Sequence, residues 1–267
     1  MSKRAFSVGR MPGFAFIAML TFVFLYVPIL TLVVYSFNEA PSMSTWQGFS
    51  LRWYEAALSN RAVQDVSIRS LIIAVSAASI ASVVSTMAAL ATTRSRNFPG
   101  QTMIYALINQ PLMVPEIVTG VALLIFFAMI KVATGYYGLG YLIAAHTAFC
   151  IPFAYLPIRA RLENMDLSLE RAAADLYATP WMTFRRVTLP LMLPGIMAGA
   201  MLAFVISLDD VVITEFVKSA GQETLPTYML GQLRRAITPE MNAIATVFLA
   251  ISVTIVTIFF IFNRKRP

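Results

Sequence analysis

Residues Leu169–Pro190 read LERAAADLYATPWMTFRRVTLP, a polar, helix-prone island between two long apolar runs. The island holds Glu170, Arg171, Asp175, Arg185 and Arg186 within 22 residues. Charge of this density between two spans is a surface that a soluble partner can grip. The stretch points to a membrane protein driven by something outside the membrane.

The rest of the chain agrees. Of 267 residues, 58% are hydrophobic and 12% charged, whereas a soluble domain carries roughly a quarter charged. Six stretches are apolar over roughly the 20 helical residues needed to cross ~30 Å of hydrocarbon. They lie between Arg10 and Glu39, Arg69 and Arg94, Arg96 and Lys131, Lys131 and Arg159, Arg186 and Asp209, and Glu240 and Arg264. Lipid offers no partner to a backbone N–H or C=O, so these are helices. The first runs over roughly 13–37 and follows a basic tail, residues 1–12. Its apolar core, Phe14–Val34, is too long for a signal-peptide core of roughly 7–15 residues, so it is expected to be retained.

Lys and Arg alternate between the two sides of these spans. Thirteen fall on the side of Lys3, Arg4, Arg10, Arg94, Arg96, Arg159, Arg161, Arg171, Arg185, Arg186, Arg264, Lys265 and Arg266. Seven fall on the other: Arg52, Arg61, Arg69, Lys131, Lys218, Arg234 and Arg235. The positive-inside rule predicts that the first side, with both termini, is cytoplasmic. The net charge of +7 then needs no nucleic acid to explain it. A lone cysteine, Cys150, excludes an intrachain disulfide. His146 lies on the same span and reads as a packing residue with hydrogen bonds or as a proton relay.

Outside the spans, 38–68 is polar and aromatic, and Asn38, Pro41 and Gly48 break any continuous helix there. Span two, roughly 69–92, repeats small residues at Ala74, Ala78 and Ser82, then Ser85 and Ala89. Small faces let helices approach closely in lipid, which predicts a central position. Residues 93–100 form a turn, and Gly135, Gly138 and Gly140 mark the connection between spans three and four.

Within the island, Asp166 or Ser168 is placed to cap a helix starting near Leu169. Ala172, Ala173 and Ala174 favour that helix. Pro180 fits the first position of a second short helix with Trp181, Phe184 and Val187 on one face. Leu189–Pro190 is expected to close the pair, giving a helix–turn–helix at the membrane surface.

Two further places put charge where lipid penalises it. Glu116 follows Pro111 and Pro115 and is predicted near the middle of span three. Asp209 and Asp210 stand about 20 residues after Pro190, roughly 30 Å along an unbroken helix. An ionisable group inside a membrane faces a cavity or a partner. Glu116, Asp209 and Asp210 are therefore candidates for a pathway or gate that accepts a cation. The alternative is that Asp209 or Asp210 caps a helix end or pairs with Arg234 or Arg235.

The island resembles the EAA loop of the permease subunits of binding-protein-dependent ABC importers, whose pattern is Glu-Ala-Ala, three residues, Gly, nine residues, Ile, one residue, Leu-Pro. Aligned on Leu189–Pro190, Ala172 and Ala173 match and Val187 takes the Ile position. Arg171 stands where Glu is expected, beside Glu170, and Tyr177 replaces Gly. Tyr takes a left-handed conformation only at a cost, so the turn is expected to shift toward Thr179–Pro180. The LDDVVIT, TLP and RRAITPEMNA segments within 207–243, and SLRWYEAALSN at 50–60, resemble the permeases of polyamine importers, including those for putrescine.

The resemblance implies an all-α, six-span type I (MetI-like) permease over 13–267 in a bacterial inner membrane, with 163–190 as the coupling loop. It implies docking of that loop on a cytoplasmic ATPase through Glu170, Arg171, Ala172, Ala173, Asp175, Tyr177, Trp181, Phe184, Arg185 and Pro190. It also implies a second, homologous permease, two ATPase subunits and a periplasmic polyamine-binding protein, with alternating access as the mechanism. The chain has no GxxxxGK[ST] phosphate loop, so ATP and magnesium would sit on the partner and this chain would bind no cofactor. Two other classes stay open on the residues alone. A secondary transporter would use Glu116 and His146 as proton carriers, and a membrane-embedded enzyme would use Asp209 and Asp210.

Overall fold

In a computed structural model the chain is all helical apart from one isolated bridge, Asn38 to Phe49, among the described residues 13–41, 45–94, 98–234 and 238–264. The tail 1–12 lies outside them, as do Arg96, Arg235, Lys265 and Arg266. Six helices are long and apolar enough to cross a membrane, one for each predicted stretch. The chain divides into two packed units. One holds the segments up to Arg61 and Gln232–Ile251; the other holds Ala62–Gly231 and the part from Ser252 onward.

In the first unit, α1 (Phe14–Tyr35) is followed by a short loop and α2 (Arg52–Ser59). Asn38 organises the loop, its amide nitrogen donating to the Thr45 carbonyl at 2.7 Å while its side-chain oxygen accepts from the Gln47 N–H at 3.0 Å. The Trp53 indole donates to the Asn38 carbonyl at 2.8 Å.

The second unit starts with α3 (Arg61–Arg94), longer at its N-terminus than the sequence predicts. Ala74, Ala78, Ser82, Ser85 and Ala89 are all buried, as the small-residue spacing requires. The third stretch is two helices, α4 (Gln101–Met113) and α5 (Glu116–Thr134). Pro115 disfavours helical geometry in Val114, which is extended at ψ 136°. Glu116 consequently opens α5 instead of lying mid-span.

Next come α6 (Gly140–Glu163), α7 (Ser168–Asp175) and α8 (Pro180–Thr183), then a π turn, Phe184–Thr188, and α9 (Leu189–Asp209). The predicted closure at Leu189–Pro190 does not occur: helix runs without a break from Pro180 to Asp209. Pro190 has no N–H to give, and the π turn just before it absorbs the altered bonding register. The chain ends with α10 (Val212–Val217), α11 (Leu225–Leu233) and α12 (Pro239–Arg264).

Helices α6 and α9 pack most closely. A Cβ placed on Gly199 would lie 2.5 Å from the Ala154 carbonyl oxygen, and one on Gly195 2.6 Å from the Arg161 Cβ. Gly195 and Gly199 thus form a GxxxG contact that brings backbone against backbone. Around it, Ala78, Ala81, Cys150, Ala154 and Ala203 join α3, α6 and α9 in one apolar cluster. A second cluster, of Ala89, Tyr155, Ile158, Leu162 and Met192, continues the same three helices toward the island.

Candidate coupling island and pathway site

The island's first helix starts where its caps dictate. The Asp166 carboxylate accepts from the Ser168 backbone N–H at 2.8 Å and from its hydroxyl at 2.7 Å. These bonds, the side-chain one first, hold the Asp166 carboxyl below the ordinary carboxylate range. At the second helix the Thr179 hydroxyl accepts from the Met182 N–H at 3.3 Å, and Pro180 takes the first helical position.

Between the helices the turn stays at Tyr177, contrary to the expected shift toward Thr179–Pro180. Tyr177 is left-handed, with φ 58°, the only non-glycine residue of positive φ among the described residues. Two bonds hold it there: the Ala178 N–H donates to the Ala173 carbonyl at 3.0 Å, and the Tyr177 N–H to the Ala174 carbonyl at 2.9 Å. This is the paired bonding of a Schellman motif with Tyr177 at the position glycine usually fills. The bonded carbonyls offset the cost of the conformation.

The island has two chemically distinct faces. Arg171, Asp175, Leu176, Tyr177, Trp181 and Arg185 are exposed, as are Ala172 and Pro190, whereas Ala173 and Phe184 are half-buried. Trp181 and Phe184 stack with ring centroids 5.6 Å apart. Glu170 turns inward: its carboxylate meets Arg94 Nε at 3.2 Å and accepts from the Thr188 hydroxyl at 2.9 Å.

The far end of α9 carries the second site. Asp209 is exposed and ends the helix, while Asp210 is extended and buried. The Asp210 carboxylate accepts from the N–H groups of Ile213 at 3.1 Å and Thr214 at 2.8 Å, and from the Thr214 hydroxyl at 2.8 Å. Asp210 therefore caps α10, as the capping alternative expects; Arg235 lies outside the described residues. His146, on α6, is also buried there. Its Nδ1 is 2.8 Å from the Ser207 hydroxyl, and its Nε2 is 3.0 Å from the Thr214 hydroxyl and 3.5 Å from the Asp210 carboxylate. Glu116 and Asp209 both lie within electrostatic reach of Asp210. The three acidic residues read from sequence are thus brought together, at the point where α9 breaks into α10 and α4 breaks into α5.

Around this point α10 is fastened at its other end. The Lys131 ammonium donates to the Val217 carbonyl at 2.8 Å and to the Ser219 hydroxyl at 3.1 Å. Arg69 Nη1 donates to the Glu223 carbonyl at 2.7 Å. A pocket of about 280 Å³ lies along the α4–α5 bend, lined by Gln110, Val114, Val118, Thr119, Ala122, Leu123 and Phe126.

Sequence reasoning left His146 without a role and did not pair Arg94 with Glu170, since each pairing joins residues more than 60 positions apart. The GxxxG spacing of Gly195 and Gly199 was a local signal that could have identified the α6–α9 contact.

Comparison with known proteins agrees with this architecture. Residues 81–265 match the family model described as binding-protein-dependent transport system inner membrane component. The chain is 40% identical to the putrescine transport system permease protein PotI of Escherichia coli K12, covering 91% of this chain and 87% of that one. It is 36% identical to the spermidine/putrescine transport system permease protein PotC of Haemophilus influenzae, covering 92% and 94%. The fold matches a crystal structure of a bacterial alginate ABC transporter in complex with an alginate pentasaccharide-bound periplasmic protein, at TM-score 0.68 and 15% identity over 94% of this chain and 93% of that one. With its six apolar helices, the chain belongs to the binding-protein-dependent transport system inner membrane components and is a multi-pass permease subunit of the inner membrane.

Proposed function

We propose that the chain is a permease subunit of an ATP-driven polyamine importer and that putrescine is its substrate. The observation that carries the substrate is the 40% identity to a putrescine permease over nearly the whole chain. The clustered carboxylates Glu116, Asp209 and Asp210 suit a small dication. An ammonium about 4 Å from a carboxylate gains roughly 4 kcal/mol at an effective dielectric near 20, enough to offset part of its lost hydration.

Their roles differ. Asp209, exposed at the end of α9, is the group that meets the cation. Glu116 adds charge from the facing helix. Asp210 positions the site by capping α10. A homologous second permease supplies the other half of the passage, and a periplasmic polyamine-binding protein delivers the substrate. The arginine-rich end faces the cytoplasm, where the exposed face of 163–190 docks on one of two ATPase subunits that hold ATP and magnesium. Alternation between outward-open and inward-open arrangements follows the ATPase cycle. The proton-coupled alternative is weakened because the family model and the relatives are those of binding-protein-dependent transport permeases.

The test is uptake of labelled putrescine in cells lacking other polyamine importers. Uptake should require this chain and collapse on ATP depletion while the proton gradient is held. Uptake that follows the gradient and survives ATP depletion would overturn the reading.

A further inference from the structure

We infer that the ion pair between Arg94 and Glu170, with Thr188, is a mechanical tie: it carries displacement of the island into α3, α6 and α9 together. This rests on the reading of the island as the coupling site, and concerns its inward face rather than its docking face.

The knot joins four elements through three side chains. Glu170 lies in the first turn of α7, and Arg94 closes the last turn of α3. Arg94 Nε reaches both Glu170 oxygens, at 3.2 and 3.3 Å, and its Nη1 donates to the Leu162 carbonyl near the end of α6 at 3.3 Å. The Thr188 hydroxyl donates to Glu170 Oε1 at 2.9 Å from the last residue of the π turn. The next residue, Leu189, begins α9.

The geometry makes the tie specific. Both carboxylate oxygens are engaged inside the protein. Arg94 and Glu170 each keep only 21% of their side-chain surface exposed, so solvent screens them less than a surface pair. The helices they join are those packed around Ala78, Ala154 and Ala203. The island has its own covalent route to α9 through the π turn and to α6 through 164–167. Helix α3 has no such link, and Arg94 supplies it. The knot thus gives the island a direct grip on the end of α3, beyond the packing of α3 on α6 and α9. A positive charge at the end of α3 also suits the helix dipole.

The experiment uses the full complex in proteoliposomes, with its binding protein and labelled putrescine, and reads putrescine transported per ATP hydrolysed. Glu170→Gln and Arg94→Gln should each assemble with the ATPase yet lower that ratio about fivefold or more. The double variant Arg94→Gln with Glu170→Gln should lower it no further than about twofold below either single variant, the non-additivity of a direct pair. An unchanged ratio in both single variants overturns the inference. If they fail to assemble, Thr188→Val, which removes one bond and leaves the ion pair, should lower the ratio about twofold, and no change there overturns it equally. A separate arm, Tyr177→Asp with Trp181→Asp, alters only the exposed face. Retention of the ATPase and of a normal ratio in that variant refutes the docking reading, whatever the knot variants do.

Discussion

Tyr177 holds a left-handed conformation with its ring almost wholly in solvent, 97% exposed. A non-glycine residue there costs of order 1 kcal/mol or more, and the exposed ring recovers little of it within the chain. Tyr177→Gly should slow hydrogen exchange at the Ala178 amide by up to about fivefold, whereas Tyr177→Val should speed it, because branching at Cβ penalises positive φ further. Exchange measured by mass spectrometry over 172–180 checks both directions. Asp210 and Asp209 offer a contrast between neighbours. Asp210→Ala strips the cap from α10 and leaves Thr214 and His146 short of a partner, so it should destabilise the protein by about 1–3 kcal/mol. Asp209→Asn should leave thermal stability near wild type while lowering uptake. Thermal unfolding of the detergent-solubilised protein alongside putrescine uptake separates the two, and equal stability loss in both would refute the assignment. Asp166 adds a pH dependence. Its carboxyl is depressed in the folded chain, so its capping contribution is present at neutral pH and is lost as pH falls through that lowered value.

Among the elements, the α6–α9 pair determines how far apart the two charged sites are held. It touches through Gly199 and Ala154 with backbone in contact, so a methyl group has nowhere to go. Gly199→Ala should cost about 1–3 kcal/mol through overpacking, with a larger loss for Gly199→Leu. A cysteine pair across α6 and α9 in that variant should crosslink more slowly, since the helices must separate to admit the new atoms. An unchanged rate would show that the contact is looser than its geometry indicates. Helix α10 is the complementary case. It has six residues, too few to be stable alone in water or lipid, and it is held by Asp210 at one end and Lys131 at the other. Its apolar ring, Phe216, lies over Gly120 of α5. Short, doubly fastened and beside the acidic cluster, it has the properties of an element that moves when the bonds holding it change.

Across the second unit, two polar knots stand at opposite ends of the α6–α9 pair. Arg94, Glu170 and Thr188 form one at the island; Ser207, His146, Asp210 and Thr214 form the other. The small-residue clusters between them transmit displacement because close-packed helices shift as bodies rather than deform. The spans, the island, its cap at Asp166, Pro180 at the start of the second helix and the central place of α3 were all legible in the chain, because each depends on a run of residues or a helical spacing within one segment. The inward turn of Glu170, the burial of Asp210 beside His146 and the meeting of Glu116 with the Asp209–Asp210 pair were not. Those follow from side chains brought together across 18 to 94 positions of sequence, and no local pattern records which polar side chains meet. Tyr177 lies between the two cases. The sequence marks it as misplaced for a left-handed turn, and only the folded chain shows that the carbonyls of Ala173 and Ala174 hold it there regardless.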